Sequence, residues 1–313
     1  MVTTVLQEHW PVLRLKASGK MTNSVFNTMN KILKMEKKFF HTNHGPIEYL
    51  VSPPGRTGET IVYFHGFGDN KQSFLQAAMH LCRDYQIIIP DLPGFGRSFK
   101  DPETTYHTEN YQKWMAAWLD SLKIDKAHIV GNSLGGLVSI LVTLACPNKV
   151  LSLASLNSAG IPLEGYPSIY HEFTQGKNIF LINNRQDFDY FLKRVFHKKV
   201  YLPWPIKETL YDYFLKNKEW HRKLMDNLTA GIDSLADERV GDISIINHLN
   251  QIKAKTLLMW GRHDSLFPYQ TAHIMKDQIS GAKVHIFDNL GHAPQLESPR
   301  SFTKVYKNFL RSP

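Results

Sequence analysis

A serine flanked by glycines is the residue best placed to act as a nucleophile. Ser133 lies in Gly131–Gly136, directly after the apolar run Ala127–Val130 and before a helical pattern that begins at Leu134. Glycines allow a strand to turn sharply into a helix, and such a strained turn holds the serine hydroxyl out at the end of the strand. Because a bare G-x-S-x-G occurs by chance in roughly one chain in ten of this length, the strand–helix context carries the prediction.

A serine hydroxyl becomes a strong nucleophile only when a neighbouring base accepts its proton, so a histidine partner is expected. When the serine follows a strand in this way, the acid comes next along the chain and the histidine last. His292 lies in the loop after the last apolar run, Lys283–Phe287, and is the predicted general base. Its rivals are His285, which lies inside that run, and His263, which stands beside the candidate acid.

The histidine needs an acceptor for its Nδ1 proton, which fixes its tautomer and stabilises the cation formed during attack. Asp264 follows the apolar run Thr256–Trp260 and has the acid's place in the order. In some proteins with this order of residues, the acid follows the preceding strand instead. That position here holds Asn157, whose amide has no charge. Asp264 is therefore the predicted acid, and an ordinary solvated loop aspartate is the alternative interpretation.

Attack on a carbonyl also creates an oxyanion, which backbone amides must stabilise. One amide is expected from Leu134, the residue after the nucleophile, and the other from the loop after an earlier strand. His65–Gly68 follows the run Thr60–Phe64, so the second predicted donor is the amide of Phe67. Glycines there allow the backbone to approach a ligand closely, and His65 is expected to be structural rather than catalytic.

These candidate residues lie at the ends of short apolar runs that alternate with helical patterns. The other runs that predict strands are Ile47–Val51, Gln86–Ile89 and Val150–Leu156. The helical patterns cover Lys71–Arg83, Tyr106–Leu122, Leu134–Ala145, Tyr269–Gln278 and Pro299–Leu310. Strands and helices that alternate in this way predict an α/β fold, with a mostly parallel sheet and helices on both faces.

The alternation is interrupted once, by a long helical and aromatic-rich segment without a convincing buried strand. We interpret this segment, residues 161–249, as a cap (lid) inserted between two strands of the core. The predicted core then consists of residues 47–160 and 250–313, and residues 1–46 form an N-terminal extension.

The N-terminal extension contains an apolar stripe with basic flanks. In Ser24–Phe40, apolar residues recur at helical spacing among four lysines. An amphipathic helix is predicted here, with two interpretations. It packs as a surface helix on its own domain, or it rests on an anionic membrane.

The composition of the chain indicates which class of partner it binds and where in the cell it is located. A formal net charge of +9 and a pI near 9.3 favour an anionic partner. Nucleic acid is not expected, because the sequence has no zinc-finger spacing, RNP-like motif or heptad-linked basic region. Cys82 and Cys146 are expected to be reduced thiols. The sequence shows neither an apolar run long enough to span a membrane nor the apolar core of a signal peptide. We expect a cytoplasmic protein, with peripheral membrane attachment and the oligomeric state left open.

Five motifs together resemble the α/β-hydrolase superfamily. They are His65–Gly68, Asp91–Ser98, Gly131–Gly136, Gly261–Asp264 and Gly291–His292. A further motif, Asn157–Gly160, is similar to one in the lipase and esterase group that includes monoacylglycerol lipases, and the chain looks most similar to that group. The resemblance implies the α/β-hydrolase fold with a helical cap after the sixth strand. It also implies cleavage of carboxylic esters or lipids with medium or long acyl chains through an acyl-enzyme on Ser133, which needs no metal or organic cofactor.

Two alternatives to an ester hydrolase remain open. Carbon–carbon hydrolases of meta-cleavage products share the Gly-Asn-Ser sequence. Their catalytic histidine is commonly followed by tryptophan, whereas Ala293 follows His292 here. Other members of the superfamily keep all three catalytic residues and act as small-molecule receptors or scaffolds. Relatives that use an aspartate nucleophile are excluded by Ser133.

Overall fold

The computed structural model of the 313-residue chain describes residues 18–163, 165–198, 200, 202–230 and 245–312. It is built around a single sheet of eight strands. They are β1 (Glu36–Thr42), β2 (Gly45–Val51), β3 (Thr60–Phe64), β4 (Gln86–Pro90), β5 (Ala127–Asn132), β6 (Val150–Leu156), β7 (Lys255–Gly261) and β8 (Lys283–Phe287). Their order across the sheet is β1-β2-β4-β3-β5-β6-β7-β8. All seven predicted strands are confirmed.

Six of the strands, from β3 to β8, run parallel, and β1 and β2 complete the sheet in antiparallel fashion. The central strands are apolar on both faces because helices cover both. In β3, Val62 and Phe64 pack into one hydrophobic cluster, while Ile61 and Tyr63 pack into the other. The predicted mostly parallel sheet is therefore confirmed.

The helices lie on both faces of the sheet and in the connection between β6 and β7. They are α1 (18–32), α2 (Leu75–Leu81), α3 (Thr108–Ser121), α4 (Leu134–Ala145), α5 (Ile169–Thr174), α6 (Arg185–Val195), α7 (Trp204–Lys216), α8 (Lys218–Leu228), α9 (Gln270–Gln278), α10 (Pro294–Glu297) and α11 (Pro299–Arg311). Short 3-10 helices cover Lys71–Phe74, Pro147–Lys149 and Ile245–Gln251. Buried residues of α3, α4 and α9 join one cluster, and those of α2 and α11 join the other.

The prediction of a single helix over Ser24–Phe40 is wrong in its second half. The helix α1 covers residues 18–32, the chain turns at Lys34 with φ 53°, and β1 follows. All seven residues of β1 pair with β2 at the edge of the sheet. An edge strand whose side chains are largely exposed needs no alternation of apolar residues, so periodicity did not reveal it. The sheet thus includes residues that we assigned to the N-terminal extension.

The connection between β6 and β7 forms the helical insertion that the sequence predicted after the sixth strand. Helices α5 to α8 lie within it. Side chains from this insertion, such as Phe180, Phe214 and Met225, belong to the same hydrophobic cluster as the core. We keep the name cap for residues 161–249, whose limits remain a prediction and of which 231–244 lie outside the described residues.

Candidate active site

Ser133 occupies a strained turn between β5 and α4. Its backbone has φ 59° and ψ −119°, outside the regions that a serine normally adopts. Hydrogen bonds hold the turn on both sides. The Ser133 amide donates to the Leu156 carbonyl at 2.9 Å, and the Ser133 carbonyl accepts from the amides of Leu137 and Ala159. Neighbouring strands and α4 therefore stabilise the conformation that turns Ser133 away from the line of the strand.

Close packing explains the glycines around Ser133. A Cβ on Gly131 would lie 2.1 Å from the carbonyl oxygen of Gly135, and one on Gly135 would lie 2.0 Å from that of Phe64. Real side chains do not tolerate such contacts with backbone atoms. The G-x-S-x-G pattern thus follows from backbone-to-backbone contact between β3, β5 and the start of α4.

The predicted acid and base are in direct contact. His292 Nδ1 lies 3.0 Å from Asp264 Oδ2, and both side chains are buried. The other oxygen, Oδ1, accepts the amides of Leu266 at 2.8 Å and Phe267 at 3.2 Å. Since a carboxylate accepts all these bonds, the imidazole donates from Nδ1 and leaves Nε2 free to take a proton. His263 and His285, the rival histidines, do not occupy this position.

Asn157 is a supporting residue that the sequence reasoning missed. Its Nδ2 donates to Asp264 Oδ2 at 2.7 Å and to the Gly291 carbonyl at 3.3 Å. The backbone of Asn157 has φ 45°, a left-handed conformation that asparagine tolerates better than most residues. The sequence excluded Asn157 as the acid. Its place at the end of β6, beside β7, was the available signal for a role next to the acid.

A second polar connection, also missed, joins the serine turn to the histidine loop. The buried Asn132 precedes Ser133, and its Nδ2 donates to the His292 carbonyl at 2.9 Å. Gln295 Nε2 in turn donates to Asn132 Oδ1 at 3.0 Å. These bonds tie the loops of the candidate nucleophile and base together through residues that are far apart in sequence.

The loop after β3 lies against the serine turn. His65 is fully buried, its Nδ1 donates to the Gly66 carbonyl, and its Nε2 accepts the Leu92 amide, which is consistent with a structural role. A Cβ on Gly66 would lie 3.4 Å from Ser133 Cβ. Within the described part of the chain, neither the Phe67 nor the Leu134 amide donates to a protein acceptor. Their function as oxyanion donors remains a prediction.

Two cavities meet at Ser133 and also share Phe67 and Phe180. The first, the histidine-side cavity, is lined by His292, Asp69 and other core residues and by apolar cap residues, among them Phe191, Leu192, Leu210 and Phe214. The second, the apolar cavity, is lined chiefly by Leu134, Leu137, Ile169, Phe173, Met225 and Phe267. A reacting group at Ser133 can therefore extend in two directions.

Comparison with known proteins places this geometry in a family. Residues 59–299 match the family model described as alpha/beta hydrolase fold. The chain belongs to the α/β-hydrolase family. It is 32% identical to Lipase 1 of Psychrobacter immobilis over 253 residues, which cover 80% of this chain and 77% of that lipase. The predicted membership of the lipase and esterase group is thereby confirmed, while the likeness to monoacylglycerol lipases stays a prediction.

The chain has two further similarities, one to a curated hydrolase and one to a solved phospholipase structure. The chain is 28% identical to the 2-hydroxy-6-oxononadienedioate/2-hydroxy-6-oxononatrienedioate hydrolase of Cupriavidus pinatubonensis, with 87% of this chain and 94% of that enzyme covered. The crystal structure of a membrane phospholipase A, a bacterial virulence factor, superposes with a TM-score of 0.83 at 25% identity. That alignment covers 99% of this chain and 94% of the phospholipase chain.

Proposed function

We propose that this protein hydrolyses carboxylic esters of lipids through an acyl-enzyme on Ser133. The observation that carries the proposal is the buried contact of His292 with Asp264, 3.0 Å long, at a cavity that also contains Ser133. A base oriented by a buried acid, lining the same cavity as a serine on a strained turn, is an arrangement suited to acyl transfer.

The reaction proceeds in two halves. Ser133 Oγ attacks the ester carbonyl carbon while His292 Nε2 takes its proton, and the amides of Phe67 and Leu134 hold the oxyanion. As the tetrahedral intermediate collapses, His292 gives the proton to the departing alcohol. A water, deprotonated by His292, then attacks the acyl carbon. As this second intermediate collapses, His292 returns the proton to Ser133 Oγ and the carboxylic acid is released.

The apolar cavity supports an acyl chain as the part of the substrate that it binds. Its lining is almost entirely aliphatic and aromatic, so each methylene buried there adds up to about 0.8 kcal/mol of binding free energy. The leaving alcohol then extends into the histidine-side cavity, where Asp69 offers a hydrogen-bonding group. Burial raises the pKa of the Asp69 carboxyl.

Charge disfavours a carbon–carbon hydrolase with a dicarboxylate substrate, which is what the relative from Cupriavidus is named for. Transferring two carboxylates into a buried site is costly unless cationic groups pair with them. Among the described residues that line the two cavities at Ser133, there is no lysine or arginine, and Asp69 is acidic. An uncharged ester fits these surroundings better.

The test is a series of p-nitrophenyl and glycerol esters of increasing acyl length, run beside a vinylogous diketone acid. We expect fast ester cleavage, a rise in kcat/KM with acyl length, and a loss of at least about 10³-fold in Ser133→Ala with the fold retained. Cleavage of the diketone alone would favour the carbon–carbon reaction. Activity on neither would favour the receptor, and unchanged turnover in Ser133→Ala would refute the acyl-enzyme.

We further propose peripheral contact with anionic membranes through α1. Its inner face packs on the core through Phe26 and Met29, but its outer face leaves Met21, Val25 and Ile32 at 51%, 43% and 66% exposure. Lysines lie beside these residues, so the face combines apolar insertion with attraction to anionic headgroups. No helix in the described ranges is both long and apolar enough to cross a bilayer. A cytoplasmic location stays a prediction.

A further inference from the structure

The C-terminal end of α6 contacts the loops of both the candidate acid and the candidate base. We call residues Arg194–Lys198 the α6 end. The last carbonyls of a helix lack partners within the helix and need others. Here the Val195 carbonyl accepts the His292 amide at 2.9 Å, and the Arg194 carbonyl accepts Ser265 Oγ at 2.7 Å. Two groups of the catalytic loops therefore supply hydrogen bonds to the last carbonyls of a helix that belongs to the cap.

Glu297 forms a second bridge between the cap and the histidine loop. Its Oε1 accepts the Gly291 amide at 2.7 Å. Its Oε2 accepts the amides of His197 at 3.0 Å and Lys198 at 2.8 Å. Hydrogen bonds to a carboxylate are stronger than those between neutral groups. One side chain thus joins the residue before His292 to the α6 end.

The two segments touch without intervening side chains. A Cβ on Gly291 would lie 2.7 Å from the His197 amide nitrogen and 3.1 Å from the Val195 carbonyl oxygen. On the acid side, the His197 ring stacks on His263, next to Asp264, with centroids 3.8 Å apart. Any displacement of the α6 end is therefore transmitted to the backbone beside both catalytic residues.

We propose that Glu297 is a positioning residue for His292, and that the α6 end is a fixed support of the catalytic pair rather than a part of the cap that opens. This inference rests on the proposed function of His292 as general base. Glu297 acts through the backbone of Gly291 and sets how closely the imidazole approaches Ser133. Lifting the α6 end would break these bonds and release the base, so an opening of the site has to leave this end in place.

The test compares Glu297→Ala and Glu297→Gln with the wild-type full chain on p-nitrophenyl butyrate. Active sites are counted by complete labelling with a fluorophosphonate, so that kcat refers to folded, reactive enzyme. A displacement of about 1 Å at a catalytic group lowers rates on the order of 10²-fold. We expect that loss in kcat for Glu297→Ala with KM nearly unchanged, an altered pH profile, and partial recovery in Glu297→Gln, which retains one acceptor oxygen.

The matched control is Glu208→Gln, which weakens an ion pair within the cap to Arg185 and contacts neither catalytic loop. Its kcat per labelled site should equal that of the wild type. The inference is overturned if Glu297→Ala lowers only the melting temperature and the labelled fraction, while kcat per labelled site and the pH profile stay unchanged. Equal ester turnover by Ser133→Ala and the wild type would instead refute the proposed function, whatever Glu297 does.

Discussion

At the scale of single residues, the orientation of the candidate acid depends on donors from three segments of the chain. Asn157 and His292 donate to the same oxygen of Asp264, and two amides donate to the other. A carboxylate with four donors has little freedom to rotate. The asparagine that takes the place of an acid after β6 therefore donates to the candidate acid after β7.

Removing the Asn157 side chain should lower activity while Ser133 and His292 remain in place. A hydrogen bond to a charged group is worth about 1.5–3 kcal/mol, so Asn157→Ala should lose roughly tenfold to 100-fold in kcat/KM for a p-nitrophenyl ester. Asn110→Ala, which removes a surface amide on α3, serves as the control. Wild-type kcat/KM in Asn157→Ala would contradict the assigned role.

Asn157→Asp gives a separate expectation for the pH profile. It places a second carboxylate beside Asp264, and the added negative charge favours the protonated imidazole of His292. The acid limb of kcat/KM should therefore move to higher pH, measured between about pH 5 and 9 where His titrates. Superimposable profiles would show that residue 157 does not influence the pair electrostatically.

At the scale of elements, α1 has more apolar surface than its packing against the core buries. The outward Met21, Val25 and Ile32 follow one line along the helix because they are separated by one or two helical turns. A helix whose only task was to cover the core would gain nothing from this second apolar face.

Replacing the outward face of α1 should weaken binding to anionic vesicles. In co-sedimentation with phosphatidylglycerol vesicles, the triple variant Met21→Gln, Val25→Gln, Ile32→Gln should bind at least about tenfold more weakly than the wild type. Salt should weaken the remaining binding, because the lysines act by long-range attraction. Met79→Gln, which changes a similarly exposed methionine on α2, should bind like the wild type. Equal binding by all three proteins would remove the membrane proposal.

At the scale of the whole molecule, the cap packs tightly against the loop after β3. His221 of α8 is fully buried, with its ring centroid 5.5 Å from that of Phe67 and 5.1 Å from that of Phe214. Neither ring nitrogen has a hydrogen-bond partner among the described residues. Burial, aided by the nearby charge of Lys100, lowers the pKa of His221 to about 4.

The buried His221 should make the folded state sensitive to acid. The unfolded chain binds a proton at an ordinary histidine pKa near 6.5, whereas the folded chain binds it only near 4. Stability should therefore fall as the pH drops between these values, by at most about 1.4 kcal/mol per pH unit from this residue, with no contribution above them.

Urea unfolding of His221→Leu at several pH values measures this effect. The variant's stability relative to the wild type should rise as the pH falls from about 7 to 4.5, because leucine binds no proton when the chain unfolds. The exposed His41→Gln serves as the control and should follow the wild type. A constant difference between His221→Leu and the wild type would mean that His221 takes up no proton on unfolding.

The sequence alone predicted seven of the eight strands, the helices on both faces of the sheet, and the family. Continuous apolar runs and helical periodicity are local properties of the chain, so β3 and α4 could be recognised without knowing what they touch. The contact between His292 and Asp264 was also foreseeable, because parallel strands bring their carboxyl ends to one edge of the sheet.

Only the tertiary structure decided the features that depend on pairing between distant segments. β1 is a strand because its backbone pairs with β2, and its side chains show no alternation that would reveal it. Glu297 meets amides about a hundred positions earlier in the chain. Hydrogen bonds of this kind depend on where folded backbones come to lie, and neither residue type nor spacing encodes that position locally.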